Sequence, residues 1–171
     1  FIDVSGIRTR YFDKGKGEPL VLVEGGTFGR FSSAEDWEPV FDRLADSFHV
    51  YAIDRLGQGF TDPPRRDEDY LIGATVEHLF QFIKAAGIQG AYVAGHSNGG
   101  YNVCRLALEH PEVVKGLIIV DSGTMVRNVP AWYEAVEEKA LLLDDPRERH
   151  RYREAANSFG SEHITEEWLD S

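Results

Sequence analysis

Apolar runs and helical stripes alternate from Phe1 to Gly123. Leu20-Val21-Leu22-Val23 is a continuous apolar run bounded by Gly25-Gly26, the pattern of a strand buried on both faces. His49 to Ile53, Ala91 to Ala94 and Leu117 to Val120 are further runs of this kind. Between them the spacing changes to that of helices. Trp37, Val40, Phe41 and Leu44 form one stripe behind the cap candidates Ser32 and Ser33, and Val76, Leu79, Phe80 and Ile83 form a second that stops at Gly87. Val103, Leu106 and Ala107 form a third, ended by His110-Pro111. Near the start, the β-like runs Ile2–Val4 and Ile7–Phe12 flank Ser5-Gly6 and predict a hairpin, whereas Asp54 to Asp69 reads as a polar, Gly/Pro-rich loop. The alternation predicts an α/β fold with a doubly wound, mainly parallel sheet of about six strands and helices on both faces.

After Gly123 the texture changes. Acids outnumber bases, no β-run returns, and Trp132, Val136, Ala140 and Leu143 share roughly one helical face behind Pro130. Asp145-Pro146 predicts a second helix through Phe159, stopped by Gly160, and Thr165-Glu166-Glu167 opens a third. Residues 1–125 therefore read as an α/β core and 126–171 as the start of a helical cap.

Composition narrows the function classes. The 171 residues carry 18 Lys+Arg against 29 Asp+Glu, a formal charge of −11. Such a surface repels phosphate and argues against nucleic acid as a partner. No run approaches a membrane span and the start has no basic and apolar leader, so no membrane partner is expected. Position 1 is Phe rather than Met, which fits a processed or trimmed chain. Cys104 is the single cysteine, which forbids an internal disulfide and fits a reducing cytoplasm. His, Asp and Glu show no metal-ligand spacing, so neither metal nor cofactor is expected.

The most informative stretch is Gly95-His96-Ser97-Asn98-Gly99, a G-x-S-x-G directly after a predicted strand and before a predicted helix. A serine on so tight a turn is pushed into the open at the end of the sheet, with glycines on either side leaving room for the reversal. The following helix aims its free N–H groups at the same point, where an oxyanion would develop.

With that motif the chain resembles the α/β-hydrolase superfamily along nearly its whole length. Leu20 to Gly26 resembles the family's strand and oxyanion loop, Asp54-Arg55-Leu56-Gly57-Gln58-Gly59-Phe60-Thr61-Asp62-Pro63 its D-x-x-G-x-G-x-S/T turn, and His110 to Ser122 its passage from helix to next strand. Within the superfamily, Phe60-Thr61-Asp62 and the helical segment from Pro130 look most like the meta-cleavage-product hydrolases. The resemblance implies Ser97 as nucleophile and Asn98 with Gly26 or Thr27 as oxyanion donors. It also implies that the catalytic acid and histidine come later in the chain, so that these residues read as the N-terminal portion of a longer protein. Asp121, at a strand end, is the internal candidate for the acid, beside its plainer reading as a turn cap. No histidine has the expected setting, and none is assigned as base. Glu24 stands where the family usually carries histidine. Its carboxylate either bonds loop N–H groups as that histidine does or sets a negative charge against the developing oxyanion.

The implied reaction is attack at a carbonyl carbon of a small hydrophobic substrate, an ester or the C–C bond of a ring-cleavage product. Met125, Trp132 and Tyr133 are candidate lining residues. A second class of function is a ligand-binding or receptor-like protein on the same fold, with weak or no turnover. If the sheet ends at Leu117–Val120, one edge lies open. Further strands of a longer chain, or another copy in a homo-oligomer, are then expected to cover it.

Overall fold

The computed structural model describes residues 1–26, 32–123 and 131–157. In chain order the strands are β1 (Ile2–Val4), β2 (Ile7–Thr9), β3 (Tyr11–Lys14), β4 (Glu18–Val23), β5 (Phe48–Ile53), β6 (Ala91–His96) and β7 (Val114–Val120). The helices are α1 (Glu38–Ala45), α2 (Ile72–Ala85), α3 (Asn98–Glu109), α4 (Ala131–Leu141) and α5 (Pro146–Asn157). The main sheet has the order β3-β5-β4-β6-β7, with β5, β4, β6 and β7 parallel and β3 antiparallel at one edge.

β1 and β2 form the expected hairpin, with Ser5 and Gly6 both at positive φ in its turn. The second run does not continue to Phe12 as one strand. It breaks at Arg10, and β3 leaves the hairpin to pair with β5. Hydrogen bonding at Arg10 explains the break. Its backbone N–H donates to Thr61 Oγ1 at 2.9 Å, its carbonyl accepts from the Asp54 N–H at 3.1 Å, and its guanidinium grips Asp54 and Glu35. Those bonds hold Arg10 against the 54–61 loop.

Alternation along the strands divides the core between two faces. Val21, Val23, Tyr51, Ile53 and Val93 pack with Val76, Leu79, Phe82 and Ile83 of α2 and Val103 and Leu106 of α3. Leu20, Leu22, Val50, Ala52 and Ala94 pack on the other face, where Trp37, Phe41 and Leu44 cover them. The first helical stripe is shorter than predicted. Trp37 belongs to a 3₁₀ turn (Ala34–Trp37) capped by Ser33, and Val40 on α1 is exposed.

β7 departs from the buried strand that its apolar run suggests. It is the second edge of the sheet, and Leu117, Ile118, Ile119 and Val120 are each between 38% and 46% exposed. Their hydrophobicity calls for cover that the described residues do not supply.

The chain divides into two compact units, Phe1–Met125 and Val126–Ser171. In the second, Arg149 of α5 donates to the carbonyls of Leu143 and Asp144 in the segment that precedes its helix, and Ala140 of α4 is buried. The expected end at Phe159-Gly160 and the third helix at Thr165 lie outside the described residues. Among the described residues no helix is long and apolar enough to cross a membrane, and no group of His, Cys, Asp and Glu is placed to hold a metal ion.

Candidate active site

β6 runs into Ser97, and α3 starts at the next residue. Ser97 sits at φ 51° and ψ −119°, a backbone conformation costly for a side chain other than glycine. The surrounding bonds over-determine it. The Ser97 N–H donates to the Val120 carbonyl of β7 at 3.0 Å, while the Ser97 carbonyl accepts from the Gly100 N–H at 3.0 Å and from the Ser122 hydroxyl at 2.7 Å. Bare backbone makes the turn possible. A Cβ on Gly95 would strike the Gly99 carbonyl, and one on Gly99 would strike the carbonyls of Val23 and Glu24. The Ser97 side chain is half-buried and does not cap its own helix.

The loop after β4 lies directly against this turn. A Cβ built on Gly25 would stand 3.1 Å from Cβ of Ser97 and 3.0 Å from Nδ1 of His96. Asn98 Nδ2 donates to the Gly26 carbonyl at 2.8 Å, and Asn102 Nδ2 donates to the Asn98 carbonyl at 2.8 Å. The two segments expected to carry oxyanion donors are thus bonded to each other. Thr27, the alternative donor, lies outside the described residues. A cavity of about 160 Å³ opens here, with Gly26, Arg55, Gln58, Asn98, Tyr101 and Asn102 in its wall.

Glu24 is fully buried, and Oε1 of its carboxylate accepts from the Arg55 backbone N–H at 3.1 Å and from Arg55 Nε at 3.0 Å. Burial pushes the Glu24 carboxyl up to about 7, with the Arg55 guanidinium pulling the other way. Arg55 was not expected at the site. A buried acid next to a glycine pair demands a counter-charge, but nothing in the spacing of residues 24 and 55 says which residue supplies it.

Asp54 has a structural place. Wholly buried, it accepts from Arg10 Nε at 2.5 Å, from the Ala34 N–H at 2.7 Å and from the Phe60 N–H at 2.7 Å. It ties the 54–61 turn to the 3₁₀ turn. Asp121 is exposed at the end of β7 with φ 43°. Among the described residues of Phe1–Met125, no hydrogen bond joins the Ser97 hydroxyl to a histidine or carboxylate, and the histidine ion pairs run from His49 to Asp13 and from His110 to Glu77 and Glu112 rather than to Asp121. His78 is buried and bonded to the Thr9 hydroxyl at 2.9 Å, and His110 stacks on Phe80. Cys104 is half-buried, and partial burial pushes its thiol pKa up, away from a reactive thiolate. Of the lining candidates, Met125 is outside the described residues. Trp132 and Tyr133 lie on α4 with side chains outside the description.

Known proteins agree with this geometry. Residues 18–164 match the family described as alpha/beta hydrolase fold. Over 127 residues the chain is 35% identical to a 2-hydroxy-6-oxo-6-(2'-aminophenyl)hexa-2,4-dienoic acid hydrolase of Metapseudomonas resinovorans, covering 74% of this chain and 43% of that protein. A 2-hydroxymuconate semialdehyde hydrolase of Pseudomonas sp. strain CF600 is 36% identical over 122 residues, covering 71% of this chain and 42% of its own length. Among solved structures, a mutant of the meta-cleavage product hydrolase of Pseudomonas fluorescens IP01, complexed with acetates, superposes with a TM-score of 0.83 at 25% identity. That match covers 99% of this chain and 60% of the other. The chain thus spans less than half the length of these two curated relatives. Its sheet order, its strained serine between β6 and α3, and the match along residues 18–164 agree, and the chain belongs to the alpha/beta hydrolase fold family.

Proposed function

We propose that the protein is a serine hydrolase that attacks the carbonyl carbon of a small hydrophobic organic substrate through Ser97. The observation that carries this reading is the Ser97 turn, held at positive φ beside the Gly25-Gly26 loop at the start of a helix. Strain of this kind persists where surrounding bonds enforce it, and it clusters at reactive positions. The Asn98 N–H, at the start of α3, and a loop N–H at Gly26 or Thr27 are the oxyanion donors.

The names of the relatives favour the C–C bond of a ring-cleavage product over a simple ester. In either case the Ser97 oxygen adds to the carbonyl carbon as its proton passes to a base, the bond to the alcohol or carbon fragment breaks as that fragment takes up the proton, and water then releases the acyl group; alternatively the hydroxyl assists a water that adds in its place. A serine is weak at its ordinary pKa, so the reaction needs a base. No histidine of this chain is assigned that role. Asp121 is the candidate acid, and Met125, Trp132 and Tyr133 are assigned to substrate selectivity. The alternative reading is a ligand-binding or receptor-like protein on the same fold, with weak or no turnover.

A fluorophosphonate probe separates the two. Labelling of the native full-length protein that disappears in Ser97→Ala is the expected result, together with a fall in ester or C–C hydrolysis of about a thousandfold or more. Absence of labelling in active, folded protein would overturn the assignment of Ser97.

A further inference from the structure

We infer that Glu24 and Arg55 act as a pair of positioning residues that set the direction of the oxyanion-loop N–H at Gly26. The inference rests on the proposed role of Ser97 and adds to it residues outside the serine, its acid and its base.

Arg55 is the hub. Its Nη2 donates to the carbonyl of Gly25 and, at 3.0 Å, to that of Gly26, while its Nε and its backbone N–H are held by Glu24 Oε1. In a trans peptide the carbonyl and the following N–H point in opposite directions. No cis peptide occurs among the described residues. Turning the Gly25 carbonyl to Arg55 therefore turns the Gly26 N–H away from Arg55. Gly26 itself is at φ 77°, one of several conformations open to glycine, so the bonds made to its carbonyl decide which of them is held. Asn98 supplies the second grip on the Gly26 carbonyl, at 2.8 Å, from the residue that follows Ser97. The loop is thus clamped from the Arg55 side and from the helix that carries the second donor.

The pair also resolves the charge problem that Glu24 poses. An unpaired buried carboxylate one residue from Gly25 would oppose negative charge building on a substrate oxygen. A guanidinium bonded to that carboxylate cancels the field at short range and is planar, so one side chain holds the acid and two carbonyls together. Lysine has no such fork.

The test uses the native full-length protein, with a p-nitrophenyl ester as substrate and fluorophosphonate titration to count functional sites. Arg55→Lys is expected to lower kcat per titrated site by about a hundredfold, the scale of a lost oxyanion donor, while KM stays within about threefold. A purely structural role predicts fewer titrated sites and a lower Tm with kcat per site unchanged, and that result overturns the inference. If Arg55→Lys does not fold, Glu24→Gln decides. Above about pH 8, where the Glu24 carboxyl is ionised, it keeps an acceptor at the Oε1 position but drops the charge that pins the guanidinium, and it is expected to lower kcat per site about tenfold. Unchanged kcat per site in that variant overturns the inference too. Failure of the parent reading looks different: wild-type protein would not be labelled, or Ser97→Ala would label equally, and both proposals would fall together.

Discussion

Asp54 shows how much one side chain can hold. Its carboxylate meets the Arg10 guanidinium and the N–H groups of Ala34 and Phe60 with no exposure to water. Asp54→Ala leaves a guanidinium and those donors without their partner. It is expected to cost about 3–5 kcal/mol, measured as a shift in urea unfolding. Gly99→Ala tests the elbow differently, because the added methyl meets backbone that cannot rotate aside. The expected outcome is a loss of about 1–3 kcal/mol and of fluorophosphonate labelling. A loss of neither would mean that β4 and α3 separate easily. At this scale the motif residues were legible in the sequence because the chemistry needs those types at adjacent positions. Arg55 and Ser122 were not, because each reaches Gly25-Gly26 or Ser97 from a distant part of the chain.

Among the elements, α2 and β7 bracket the range of burial. α2 sends Val76, Leu79, Phe82 and Ile83 into the core, and Phe82 also meets the Tyr11 ring edge-on at 5.3 Å. Phe82→Ala is expected to cost about 3–5 kcal/mol in urea unfolding, from lost burial and the cavity left behind. β7 has an equally apolar sequence and stays half-exposed at the sheet edge. The 171-residue chain taken alone is therefore expected to self-associate, and Ile118→Lys to reduce that association in light scattering without lowering Tm. Periodicity placed both elements in the sequence. It carried no information on which had neighbours on both sides, since that depends on segments packing from elsewhere.

At the scale of the whole fold, two buried groups among the described residues give stability opposite slopes between about pH 4 and 7. Burial lowers the His78 pKa to about 4 from an ordinary 6.5, so between these values the unfolded chain takes up a proton that the folded one refuses. Stability from this source is lost as pH falls through that window. Glu24 is raised to about 7 from 4.5, so the folded chain keeps a proton that the unfolded one has released, and stability is lost as pH rises. Each effect is worth up to about 3 kcal/mol. The wild-type urea midpoint is therefore expected to change little between about pH 4.5 and 6.5. His78→Gln should show a decline with rising pH, and Glu24→Gln a decline with falling pH. Identical profiles in all three proteins would refute both assignments.

By itself the sequence determined the α/β class, the order of core strands and helices up to β7, and the elbow at Ser97, because each is written in local spacing: alternation, helical stripes, and glycines two residues either side of a serine. Tertiary structure decided the rest. The break at Arg10 depends on Asp54, Thr61 and Glu35, which become neighbours only when β3 pairs with β5. Whether Glu24 stands beside the Gly25-Gly26 loop as a bare charge or as half of an ion pair depends on Arg55, thirty-one residues along the chain. Hydrogen bonds and ion pairs act over a few ångströms of space, and residues this far apart in sequence come within that reach only in the folded chain.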